Sequence, residues 1–440
     1  MAAMVKSDIE WLDEVPTEWG TTRLGNSVYM KGRIGWQGLR FDDFIDEGPY
    51  LVTGTDFEKG KIVWPRCYHI SKSKYSEDPA IHLCSKDVLF TKDGTVGKVA
   101  YVDNLPGPAT LNSHLLLLRP KTEELNSGYL FWVLQSSVFE RYKNLVQHGS
   151  IMDSISQTDM SRFIIPLPPQ EEQEAIVTHL DAKIGLNDRL IAMVEKQISV
   201  LERYRTSVVH KVVNRGLASS TRLKSSGVDW LGDIPISWRM NRLRYLCSIE
   251  SGATPSKDVI TFWDGKNPWV SSMEVKSHIL KDTTLHISDE AINSCSTRLL
   301  PAGTLVMVVR SGILQHTIPV AILGKPMTIN QDIKALLFDS SVMPNYFYYF
   351  IQGNNENLLK VLLKDKSTVD NINQEYLKSL LIPVPSLEEQ KEIVDYLDSH
   401  TAAIDATLGT KRKQLDILKR RRQSLINEYV TGKRRVTEEA

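Results

Sequence analysis

Two stretches of the chain place apolar residues at alternating steps of three and four, and these stretches predict its longest elements. In the first, Val177, Leu180, Ile184, Asn187, Ile191, Val194, Ile198, Leu201, Arg205, Val208 and Val212 form one stripe, apolar at nine of eleven positions. The second repeats it 217 residues on as Val394, Leu397, Thr401, Ile404, Leu408, Lys411, Leu415, Leu418, Arg422, Leu425 and Tyr429. A sustained period of 3.5 residues is the seam of a coiled coil, narrower than the face of a helix lying on a globule. Glu171-Glu172-Gln173 and Glu388-Glu389-Gln390 give both helices acidic first turns, suited to the positive end of a helix dipole. Two equivalent helices, each led in by its own globule, pack most simply antiparallel. Their shared length from Val177 to Val212 makes a rod of about 50 Å. Asn187 and Arg205 interrupt the seam and are candidates for fixing its register.

Ahead of each helix the pattern is mixed. Short β-type runs such as Asp87-Val-Leu-Phe-Thr91, Lys98-Val-Ala-Tyr-Val102 and Gly303-Thr-Leu-Val-Met-Val-Val309 alternate with helical stretches such as Ser127–Leu134 and Pro344–Phe350. This predicts an α+β fold, without fixing the strand order. The mixed regions also repeat. Trp11-Leu-x-x-x-Pro16-x-x-Trp19 returns as Trp230-Leu-x-x-x-Pro235-x-x-Trp238, and Asp153-Ser-Ile155-Ser-Gln157 returns as Asp370-Asn-Ile372-Asn-Gln374. The strand exits Ile165-Pro-Leu-Pro168 and Ile382-Pro-Val-Pro385 follow. An offset drifting only between 217 and 219 residues means two copies of one unit, not a solenoid of many short repeats. The expected boundaries are a first globule at 1–168, a first helix at 169–215, a second globule at 216–385, a second helix at 386–435 and a tail at 436–440.

Composition narrows the class. The 440 residues are 42% hydrophobic and 24% charged, with 53 basic and 53 acidic side chains, which suits a globular protein and argues against a generic polycation. The first ten residues lack a signal peptide's apolar core, so a cytoplasmic location is expected. Cys67, Cys84, Cys247 and Cys295 stand far apart, the pattern of reduced thiols rather than of a zinc site. Gly94-Thr-Val-Gly97-Lys98 has the wrong spacing for a phosphate loop, and no two glycines stand two apart as a dinucleotide or adenosylmethionine turn requires. The only Pro-Pro, Pro168-Pro169, lacks the flanking residues of a DNA aminomethyltransferase. Neither catalytic nor metal-ligating residues are expected on this chain, and no cofactor.

The repeated halves, the paired Trp segments, the Pro-x-Pro exits followed by Glu-Glu-Gln, and the two heptad helices together resemble the specificity subunit of type I restriction-modification systems, over nearly the whole chain. The resemblance implies two target recognition domains, each reading one half of a bipartite DNA sequence, and an antiparallel coil that sets the gap. It implies a non-catalytic subunit of a DNA methyltransferase and endonuclease complex. Two methyltransferase subunits would bring S-adenosylmethionine, and motor-nuclease restriction subunits would bring ATP and Mg. A coiled-coil scaffold without DNA binding and the specificity partner of a fused restriction-methylation enzyme are the alternatives.

Two aligned loops are the candidate DNA readers. Lys92, Thr95 and Lys98 in the first correspond to Arg310, Gln315 and His316 in the second, and Asn112 and His114 lie in a segment matched by that of Asn330. Lys and Arg suit phosphate or guanine, and Gln and Asn suit adenine. Arg33, Arg40, Lys61 and Lys72 add a possible phosphate track, although the charges of the first globule are nearly balanced.

Overall fold

A computed structural model describes residues 3–33, 39, 43–146, 154–218, 220–363 and 370–436. The chain resolves into two compact units, Met1–Glu195 with Lys413–Ala440, and Lys196–Arg412. Both long helices, Gln170–Arg215 and Leu387–Val430, are shared: each begins in one unit and ends in the other. No helix among the described residues is long and apolar enough to cross a membrane.

The units are α+β and built on one plan. In the first, six strands run in the order Val28–Lys31, Leu115–Pro120, Val88–Thr91, Val99–Tyr101, Lys61–Ile62, Phe57–Glu58. In the second, five run in the order Cys247–Ser251, Ile333–Phe338, Leu305–Val308, Val320–Leu323, Ile279–Leu280. Both sheets are antiparallel except at one matching place, where Tyr101 pairs parallel with Lys61 and Ile322 with Ile279. A three-stranded sheet accompanies each. Central strands such as Val88–Thr91 and Leu305–Val308 are buried at every residue, so they read as continuous apolar runs rather than alternating ones.

The repeated sequence anchors have specific mechanical roles. The Pro-x-Pro exit strands pair antiparallel with the strands after the second Trp of each copy, Ile164–Leu167 with Gly20–Arg23 and Leu381–Val384 with Arg239–Arg242. The glutamine of Glu-Glu-Gln is fully buried in both copies. Gln173 Nε2 donates to the carbonyls of Glu124 (2.8 Å) and Pro168 (2.9 Å), and its Oε1 accepts from Asn126 N–H (2.8 Å). Gln390 makes the same three bonds to Ser341, Pro385 and Met343. Each helix start is thereby bolted to its own globule.

The globule's core also receives the end of the other long helix. Ile176, Leu180 and Ile184 share one core with Ile426, Tyr429 and Val430, and Ile393, Val394 and Leu397 share the other with Val209, Val212 and Val213. A buried tyrosine ties this junction in both units. Tyr129 donates bifurcated hydrogen bonds to the carbonyls of Pro166 (3.1 Å) and Val430 (3.2 Å), and Tyr346 to those of Pro383 (3.0 Å) and Val213 (3.3 Å).

Within each unit the helix segments run antiparallel. Leu180, Leu397, Leu408 and Leu418 are buried, and Ile191, Ile198, Leu201, Val208, Leu415 and Leu425 are half-buried; none of the seam positions is exposed. Arg205 forks onto Asp405 (2.9 and 3.2 Å) in the second unit, and Arg422 pairs with Asp188 (3.0 Å) in the first. These are one interaction made twice, because each residue is displaced by 217 from its counterpart. Glu202 with Arg412 (2.8 Å) and Lys419 with Glu195 (3.5 Å) form a second such set. Asn187 breaks the equivalence: it is buried and donates to the Leu418 carbonyl (3.1 Å), where the other helix has Ile404.

Candidate nucleic-acid interface

At the same end of each main sheet, four loops or strand ends meet around a cleft. In the first unit it holds about 420 Å³ and is lined by Lys31, Arg33, Lys92, Asp93, Ser154 and Gln157 among others. In the second it holds about 480 Å³, and Ser251, Arg310, Gln331, Lys334, Asn371 and Gln374 line it. The loops are held by backbone bonds across the cleft floor. Lys92 N–H donates to the His114 carbonyl and Ile155 N–H to the Lys92 carbonyl (both 2.9 Å), while Val309 N–H donates to Asp332 and Ile372 N–H to Val309 (both 2.8 Å). Asp93 bridges Ser154 and Arg310 bridges Asn371, so residues 154–157 form one wall of the first cleft and 371–374 the matching wall of the second.

The frames match but the chemistry they display differs. In the first unit Lys92 Nζ is held by Asp93 (2.8 Å), with His114 Nδ1 3.7 Å from the same carboxylate. In the second, Arg310 is exposed and its guanidinium has no hydrogen-bonding or ion-pair partner among the described residues. Beside it stand the amides of Gln331, Asn371 and Gln374. Lys334 donates to Ser251 Oγ; burial, and then the charge of Lys378, pull its pKa down. The two loops also differ in shape. Gly94 and Gly97 take positive φ in the first, whereas Gly312–Gln315 forms a 3₁₀ turn in the second.

The structure gathers only some of the sequence-derived candidates. Lys92 and Arg310 line the clefts, and Asn112 and His114 shape the first, Asn112 Oδ1 accepting from His114 N–H (3.1 Å). Thr95, Lys98, Gln315 and His316 are exposed on the adjoining loops. Arg33 lines the cleft floor but is turned inward, 4% exposed, donating from Nε to the Leu111 carbonyl (3.0 Å) and from Nη2 to Thr110 Oγ1 (3.3 Å). It braces the loop instead of offering charge to a phosphate, and burial lowers its pKa. Asn330 is likewise buried, its Oδ1 accepting from Asp332 N–H (3.1 Å). Lys61 pairs with Asp103 (2.6 Å) and lines a different cavity, Lys72 is exposed on the short helix Lys72–Ser76, and Arg40 lies outside the described residues. Sequence reasoning placed Gln331 in the second reader segment with Asn330 but missed Lys31, Lys334, Asn371 and the site role of Gln157 and Gln374. The last two stood in a repeated motif that reads as scaffold because it is shared.

The family described as "Type I restriction modification DNA specificity domain" matches residues 34–200 and 235–416. The EcoR124I/EcoR124II specificity subunit of Escherichia coli is 31% identical over 252 residues, 56% of this chain; the match spans about half of that relative's length, also 56%. The MjaVIII specificity subunit of Methanocaldococcus jannaschii is 24% identical over 434 residues, 96% of this chain and 94% of that one. A solved chain from a study of complex assembly and conformational transition in the type I R-M system superposes with a TM-score of 0.70 at 19% identity, covering 95% of this chain and 99% of that one.

Proposed function

The chain belongs to the type I restriction-modification DNA specificity family, and from that membership we propose that its two units read the two unequal halves of one bipartite DNA target. The observation that carries this reading is the twin cleft: one frame, one cation at the same place in each loop, and different polar neighbours around it. Arg310 with three amides suits guanine and adenine edges, whereas the Lys92–Asp93–His114 group offers an acceptor as well as donors. Equal frames with unequal readers favour an asymmetric target.

In this reading the chain is a non-catalytic subunit. Two methyltransferase subunits dock on the coil and bring S-adenosylmethionine, and restriction subunits bring ATP and Mg. Support for docking comes from the coil of the first unit, where Leu186, Leu190, Met193 and Ile417 are 45–65% exposed on helix positions outside the seam. Exposed apolar residues at steps of four and three suit a further helix.

Selection of bound duplexes from a random library by the chain with its methyltransferase tests the proposal. Enrichment of two different short sequences at a fixed gap is expected. A coiled-coil scaffold without DNA binding would enrich nothing, and methylation or cleavage by the chain alone, abolished by a mutation in it, would overturn the non-catalytic assignment.

A further inference from the structure

A second cavity of the first unit lies apart from the cleft. It holds about 610 Å³ and is walled by Tyr101, Phe131 and Trp132 on the globule and by Asp181, Gly185 and Asp188 on the first long helix. Phe131 packs edge-on against both Tyr101 and Trp132, at 5.9 and 5.0 Å between ring centroids. Trp132 Nε1 donates to Asp181 Oδ1 (3.0 Å). The other oxygen of Asp181 has no protein donor among the described residues, and no cation pairs with this carboxylate, unlike Asp103 with Lys61 and Asp188 with Arg422.

The second unit fills the corresponding place with its own side chain. Phe131, Trp132 and Asp181 correspond at 217 residues to Tyr348, Tyr349 and Asp398, and Tyr349 again donates to the aspartate, at 2.5 Å. The His278 ring lies flat on Tyr348, centroids 3.9 Å apart and planes within 14°, and meets Tyr349 edge-on at 5.5 Å. The residue placed like His278 in the first unit is Gly60. Each immediately precedes the short parallel strand, and each carbonyl accepts from the neighbouring strand, from Tyr101 N–H (2.9 Å) and Ile322 N–H (2.8 Å) respectively. Gly60 stands against the ring as His278 does: a Cβ there would come within 2.6 Å of Phe131 Cζ. With φ of +78° in a tight turn, position 60 cannot readily supply a side chain of its own.

We propose that this cavity is a binding site for a planar N–H heteroaromatic group of the imidazole class, stacked on Phe131 as His278 is on Tyr348 and donating to Asp181, a bond that His278 does not make to Asp398, its Nε2 having no hydrogen-bond partner among the described residues. Two sources present that chemistry: a histidine side chain of a partner subunit and a free heteroaromatic molecule. The stack supplies shape and the unshared carboxylate oxygen supplies direction.

The test is ¹⁹F NMR of the full chain labelled with 5-fluorotryptophan, with the Trp132 resonance assigned through Trp132→Phe. Titration with imidazole is expected to shift that resonance saturably. Thiazole, equally flat but without an N–H, should shift it far less, and Asp181→Asn should raise the required imidazole about tenfold, the loss of one charge-assisted bond. His278→Ala gives an independent reading in a separate variant, because it opens the matching space in the second unit; imidazole should raise its melting temperature more than that of the unaltered chain. N-acetylhistidinamide and adenine as further probes separate the two sources by which binds more tightly. A drift linear in imidazole, an equal response to thiazole, or an unchanged response in Asp181→Asn overturns the proposal.

Discussion

At the scale of single residues, exposure separates charge that can bind from charge that supports. Arg310 has its guanidinium free among the described residues, while Arg33 spends its own on Leu111 and Thr110. Arg310→Ala is therefore expected to weaken target binding by about 1–3 kcal/mol and relax selectivity in one half-site only, measured by competition gel-shift. Arg33→Met should lower the melting temperature and leave the salt dependence of binding nearly unchanged. His278 gives a pH signature. Burial holds its pKa below the ordinary imidazole value, with Arg205 acting the same way and Asp398 and Asn345 opposing. The unfolded chain then takes up the proton more readily than the folded one, so this contribution is complete above about pH 6.5 and is lost as pH falls toward the lower folded value. Urea midpoints at pH 7.5 and 5.5 should differ less in His278→Gln than in the unaltered chain.

At the scale of elements, the seam shows what a heptad costs when one position is polar. Among the described residues the Asn187 side chain makes one hydrogen bond, to the Leu418 carbonyl, and its Oδ1 is buried without a partner. Asn187→Leu should stabilise the chain by about 1 kcal/mol, seen as a raised denaturation midpoint; a fall would mean that the amide is needed for register. The helices were legible in the sequence because period and length speak for themselves over eleven positions. Strands such as Val88–Thr91 were legible as apolar runs, but their order was not, since pairing depends on partners far along the chain. The cleft was half legible. Lys92 and Arg310 stood out as cations beside glycines, whereas Arg33 looked equally basic and only burial tells them apart. Asn371 and Gln374 were hidden inside a repeat that sequence comparison treats as common frame.

At the scale of the whole molecule, the proposed function makes the coil a ruler. Inserting two heptads at equivalent points of both long helices should lengthen the preferred gap in selected duplexes and leave both half-site sequences unaltered. Changed half-sites with an unchanged gap would refute it. The duplicated ion pairs, Arg205–Asp405 and Arg422–Asp188, are partly exposed and worth at most about 1 kcal/mol each. Their value is in geometry, since each pins one helix against the other within its own unit.

The way the chain is divided also orders its synthesis. The second unit, Lys196–Arg412, is one continuous segment, whereas the first is completed only by residues from Lys413 onward. Ile426, Tyr429 and Val430 fill the first core, and Val430 offers its carbonyl to Tyr129 across 301 residues of sequence. The part made first is thus finished last. On the ribosome the first globule waits with an open core while the second closes, against the usual order for domains in series. A chain ending after Arg412 should therefore keep its second unit protected in hydrogen exchange and lose protection in the first, although every deleted residue follows the second unit in sequence. A frameshift just past Arg412 would therefore open the core of the first unit, not that of the second.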